Sequence, residues 1–355
     1  MKIFNCTHCD QLLYFENDRC ERCGYPLGFN DEQLRLFPLV DQGDPWFSIY
    51  KRDSSLYRYC ANHSYGLCNW LVPQDGGQEY CKACVLNRTI PNLNKPEYFN
   101  RWKVLENAKH RLVYSLLRMR LPVASKAIQP DSGLVFDFKA DEHPDSDEKV
   151  LTGHDDGVIT INIAEADDIE REMTRKAMDE VYRTVLGHFR HEVGHYYWDR
   201  LIDGTPYLDK CRELFGDERQ DYAEALKIHY EKGPPAGWNL EYISAYATTH
   251  PWEDWAETWA HYLHIIDTLE TAYAFGMSVH PGVLKQPEAL EVEITDDPYK
   301  IKDFNRIINL WLPLTFALNS LNRSMGLKDL YPFVIRPGIM EKLSFIHDVC
   351  YSAGK

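Results

Sequence analysis

Residues 188–199 read HFRHEVGHYYWD, and how this stretch folds governs the interpretation of the whole chain. From about Asp168 to Ile202 the apolar residues recur with a helical period. With roughly 100° per residue and Val185 as origin, Met178, Tyr182, Phe189, Val193 and Tyr196 share one face, the side expected to meet a core. His191 and His195 fall on a second face, at roughly 240° and 280°. Residues four apart on a helix are neighbours, so the two imidazoles can reach one ion. Glu192 points to the edge of that place, where a carboxylate serves as general base toward an activated water rather than as a ligand. Gly194 lies inside the helix although glycine there costs about 1 kcal/mol relative to alanine; close approach of another backbone would account for it. The competing interpretation is two ordinary core histidines beside a solvated glutamate.

Two histidines make an incomplete zinc site, and the missing ligand is expected from another helix as a histidine or an acid. The stretch AYATTHPWEDWAETWAHYLH, residues 245–264, offers the best source. Pro251 suits a first helical turn. Trp252, Ala256, Trp259, Leu263 and Ile266 form an apolar face, whereas Glu253, Glu257 and His261 gather on a face without Lys or Arg. Taken singly, Glu253 could cap its own helix and Glu257 could be a solvated carboxylate.

Eight of the ten cysteines lie within the first 84 residues. Cys6, Cys9, Cys20 and Cys23 form two CxxC turns that present four thiolates, which predicts a structural zinc ribbon with no open coordination position. Cys60, Cys68, Cys81 and Cys84 suggest a second site of less regular spacing, in which His63 could replace Cys60 or Cys68. Cys211 and Cys350 stand alone and are expected as small buried side chains.

The chain has 355 residues and an ordinary globular composition, 44% hydrophobic and 26% charged. Its net charge of −15 opposes non-specific attraction to nucleic acid. The opening MKIFNCTHCD does not resemble a secretory signal, and no stretch offers 18 uninterrupted apolar residues. With cysteines in metal-type spacing, a reducing, cytoplasmic setting without membrane contact is expected. The richest apolar stretch, IINLWLPLTFALNSL, is expected as a buried helix. Residues 97–121, EALKIHYE and FNRIINLWL also predict helices, and GLVFDF and GVITINI predict strands on either side of an acidic loop. His154, before the second strand, is expected at a loop surface. The Pro- and Asn-rich LNRTIPNLNKPE places a boundary near residue 95. The fold class is α+β: a double zinc-ribbon region over 1–95, then a helix-rich domain with a small sheet over 96–355.

HFRHEVGHYYWDRL and HPWEDWAETWAHYLH, with the N-terminal cysteine framework, resemble the bacterial family of zinc-binding metallopeptidases that carry a zinc ribbon, over nearly the whole chain. More distantly, the ExxAE formed by Glu253 and Glu257 resembles gluzincin peptidases of the anthrax lethal factor type. The resemblance implies a zincin-like domain with Glu253 as third zinc ligand, Glu257 as partner of a ligating histidine, and Tyr246 assisting the oxyanion. Glu257 stays open as the alternative ligand. It also implies that the strand in DDGVITINIAEADD lines the cleft and pairs with an extended peptide. The expected function is hydrolysis of a peptide or protein substrate with one catalytic and two structural Zn²⁺. The rival is a zinc-ribbon module that binds a protein partner beside an inactive HExxH scaffold.

Overall fold

The computed structural model describes residues 2–52, 55–141, 150–167, 171, 184–285 and 290–355. The first part of the helix read from Asp168, with Met178 and Tyr182, and most of the acidic loop lie outside these. The fold is α+β, with the chain in two compact units, Met1–Arg171 and Glu172–Lys355.

In the first unit, β1 (Phe4–Asn5) and β2 (Leu12–Leu13) make a short hairpin that encloses the first CxxC turn. Each turn ends on a residue of positive φ, Asp10 at 61° and Gly24 at 77°, whose N–H returns to the carbonyl of the first cysteine at 2.8 Å. An antiparallel sheet follows in the order of the sequence: β3 (Leu27–Asn30), β4 (Arg35–Asp41), β5 (Phe47–Ile49), β6 (Leu56–Tyr59) and β7 (Leu71–Pro73). Phe37, Leu39, Ile49, Tyr57 and Leu71 pack as its core.

Helix α1 (Pro96–Arg118) begins with proline in its first turn, where the missing N–H is harmless. Its Tyr114 joins Phe15 and Phe29, at ring distances of 5.3 and 6.1 Å, and so anchors the helix to the cysteine-rich region. A second sheet has the order β10-β11-β9-β8, from β8 (Asn87–Thr89), β9 (Val135–Lys139), β10 (Gly153–Asp155) and β11 (Val158–Asn162). β8 pairs with β9 across the boundary read near residue 95, and the compact units divide at residue 171.

Both strands read from the sequence are present, and they run parallel to each other. β10, which was not anticipated, turns into β11 through Asp156 and Gly157, both at positive φ as a tight hairpin requires. His154 therefore sits in a strand and not in a surface loop, its Nε2 accepting the Gly157 N–H at 2.9 Å. β11 is paired on both sides, which leaves it no free edge for an extended peptide.

In the second unit, α2 (Val185–Leu201) is capped by Thr184, whose hydroxyl accepts the Gly187 N–H at 3.0 Å. Short helices α3 (Leu208–Phe215) and α4 (Tyr222–Lys232) lead to α5 (Pro251–Ala274), which starts with Pro251 behind the capping side chain of His250. A two-stranded ribbon, β12 (Ser278–Val279) with β13 (Val292–Glu293), precedes α6 (Phe304–Ser324) and α7 (Pro337–Ala353). The expectation for α6 needs correction: one face is buried through Leu314, but Leu312, Phe316 and Leu321 are exposed. Among the described residues, no helix is long and apolar enough to cross a membrane.

Candidate metal centre

Helices α2 and α5 pack face to face around Gly194. A Cβ on that residue would lie 3.1 Å from both the Ala256 Cα and the Trp259 ring. Trp255 Nε1 donates to the Gly194 carbonyl at 2.9 Å, and Tyr197 stacks on Trp259 at 5.1 Å. The glycine thus permits the close backbone approach its position implied. Gly194→Ala sets about 1 kcal/mol of helical gain against about 1–3 kcal/mol of overpacking against a backbone atom. A lower melting temperature is expected in a thermal scan; an increase would show that the helices part without strain.

The apolar face of α2 is buried as read, with Phe189 and Val193 inaccessible, but the rest of the helix is largely covered as well: Glu192, Gly194, His195, Tyr197 and Trp198 are all buried. On α5 the acidic face is likewise inside, where sequence alone left a solvated surface open. Glu253 is buried at 2% exposure and His261 at 8%.

These faces bring His191, His195 and Glu253 into one group whose ligand atoms lie within 4.8 Å of one another. The two Nε2 atoms are 3.2 Å apart. Glu253 Oε2 lies 3.0 Å from His191 Nε2, and Oε1 lies 3.6 Å from His195 Nε2. Glu257 approaches the other side of the ring: its Oε1 accepts from His191 Nδ1 at 2.7 Å, and its Oε2 accepts from the Ser244 hydroxyl at 2.6 Å. That bond places the imidazole proton on Nδ1 and leaves an Nε2 lone pair directed at His195 and Glu253. Converging lone pairs with a carboxylate suit a divalent cation, so the donor set fits zinc. Burial opposes charge on Glu257, yet His191 draws its pKa down to about 2. Burial is also the largest influence on Glu192, which it pushes above the usual carboxylate range.

The remaining sequence candidates divide. Tyr246 stands beside His191 with ring centres 6.0 Å apart. His261 is bound to the Tyr331 hydroxyl at 2.8 Å and is outside the ligand group. Three neighbours carry no motif. Tyr222 donates to Glu253 Oε1 at 2.8 Å, Ser244 holds Glu257, and Trp252 packs on His195 at 4.1 Å. Trp252 was expected on the core face alone.

Each set of four cysteines in the first unit also converges, and all ten thiols are free of disulfides. The Cys6–Cys23, Cys9–Cys20 and Cys68–Cys81 sulfurs are 3.7, 3.6 and 3.7 Å apart. A tetrahedron with Zn–S bonds of about 2.3 Å has edges of about 3.8 Å, so the spacing fits zinc. His63 is turned away: its Nδ1 meets the Cys68 carbonyl at 2.8 Å and its ring stacks on Tyr59 at 3.8 Å. Cys211 and Cys350 are separately buried, as expected.

An α+β chain with a His–His–Glu group on two packed helices and two four-cysteine clusters falls in the class of zinc-binding proteins. It belongs to the family described as putative zinc-binding metallo-peptidase, which it matches over residues 98–349, and residues 3–95 match a zinc-ribbon domain. It is similar to proteins of Mycobacterium bovis and of two strains of Mycobacterium tuberculosis, each described as uncharacterized. Each is 44% identical over 350 residues, spanning 98% of this chain and 95% of the relative. No solved structure matches.

Proposed function

We propose that this protein is a gluzincin-like zinc peptidase. The observation that carries the reading is the convergence of His191 Nε2, His195 Nε2 and a Glu253 oxygen, with Glu192 buried one residue along α2. His191, His195 and Glu253 would hold zinc, which would supply acidification of water toward a pKa of about 7 and polarisation of the scissile carbonyl. Glu192 accepts the attacking water's proton and delivers it to the leaving amine nitrogen, so that peptide and water become acid and amine. Glu257 keeps His191 in the tautomer that exposes Nε2. Tyr246 donates to the oxyanion.

The two cysteine clusters each hold one structural zinc, within a ribbon module over 1–95 that stabilises the chain and offers a surface to a protein partner; 96–355 is the peptidase module. The substrate is a peptide or protein, and ten free thiols suit a reducing cytoplasm.

Metal analysis of two glutamate variants tests the ligand assignment. The wild type is expected to hold three zincs, one in each four-cysteine cluster and one at His191, His195 and Glu253, with Glu253→Gln holding two and Glu257→Gln keeping three with activity reduced about 10–100-fold. Loss of the third ion from Glu257→Gln alone would reverse the roles of the two acids.

A further inference from the structure

We propose that Tyr222 is a positioning residue that reserves one Glu253 oxygen for the metal and withholds the other. The inference rests on the reading of His191, His195 and Glu253 as a zinc site. A carboxylate with both oxygens open can bind through both and so occupy the position that water or a substrate carbonyl needs; a catalytic zinc keeps three protein ligands and one open place. Here the oxygens differ. Oε2 lies 3.0 Å from His191 Nε2, whereas Oε1 accepts the Tyr222 hydroxyl at 2.8 Å.

Packing does not explain Tyr222. It opens α4, a helix with no buried residue, and is itself 38% exposed. Asp221 starts the helix there by accepting the Glu224 N–H at 3.0 Å. The Tyr222 ring meets the edge of His250 at 5.3 Å, beside the cap of α5 and three residues before Glu253. A surface helix therefore contributes one hydroxyl to a buried ligand. Loss of such a partner costs about 10–100-fold in metal affinity or activity in other metal sites.

The test uses the full chain, with zinc in the cysteine clusters and the third site titrated by zinc or cobalt(II) against a chelating competitor. Tyr222→Phe keeps the ring and removes only the donor. It is expected to weaken the third site about 10-fold. It is also expected to reduce the cobalt d–d absorption, as four-coordinate geometry gives way to five. A merely structural role would shift the melting temperature and leave the spectrum unchanged. Wild-type affinity and spectrum in Tyr222→Phe, with the third ion lost from Glu253→Gln, would overturn the Tyr222 role alone. Retention of that ion by Glu253→Gln would overturn the role and the metal-site reading together.

Discussion

Glu192→Gln is expected to lower kcat for peptide hydrolysis by about 10²–10⁴-fold while all three zincs stay bound. The carboxamide has the size of the carboxylate and fits the same buried place on α2, but it cannot take a proton from water. His191 and His195 flank it on the same helix and keep their own partners, so the ligand set is intact. Because the lost interaction belongs to the transition state, kcat and kcat/KM should fall together and KM should hardly move. A denatured protein or mixed peptides as substrate, with metal analysis of the same sample, would check both parts. Hydrolysis at the wild-type rate would remove Glu192 from the chemistry. Loss of zinc would instead make it part of the scaffold.

The cation-facing side of this site was legible because helical spacing is local. His191 and His195 are one turn apart, and no tertiary information is needed to place them together. The same rule could not rank Glu253 against Glu257, since they too are one turn apart and share a face. Rotation of α5 against α2 separates them: one reaches the Nε2 atoms and the other Nδ1. Gly194 hinted at that contact but carries no rotation angle. Tyr222 and Ser244 were out of reach for a different reason. They stand on separate segments, with no spacing to the ligands, in a chain with 22 tyrosines. The strands around GLVFDF and GVITINI were visible from their residues, but their parallel pairing, and the interior position of β11 in the sheet, follow from sheet order. His63 was ambiguous because a neutral imidazole is also a zinc ligand and could replace Cys60 or Cys68. The short turn Ala61–Tyr65 aims its ring at a backbone carbonyl instead.

Cys81→Ser should do more damage to the fold than any substitution at the His191, His195 and Glu253 site, because the second cysteine cluster ties together the ends of β6 and β7. β6 and β7 are short strands that meet beside the cluster: Cys60 N–H bonds to the Trp70 carbonyl at 2.9 Å, and Trp70 N–H points at Cys68 Sγ at 3.4 Å. Structural zinc contributes about 10–16 kcal/mol in zinc-finger peptides at neutral pH, as much as the whole folding stability of an ordinary domain. Serine shortens the ligand and replaces a thiolate by a poorly coordinating hydroxyl, and Cys81 is almost fully buried, so water cannot readily stand in. The variant is expected to lose one zinc and to expose the first unit to protease, with the β6–β7 region cut first. Cys211→Ala is the control: its thiol is just as buried but belongs to no cluster, so only a small cavity results and three zincs remain. A Cys81→Ser protein that keeps its zinc count and protease resistance would mean that the hydrophobic contacts of β4 to β7 suffice without the ion.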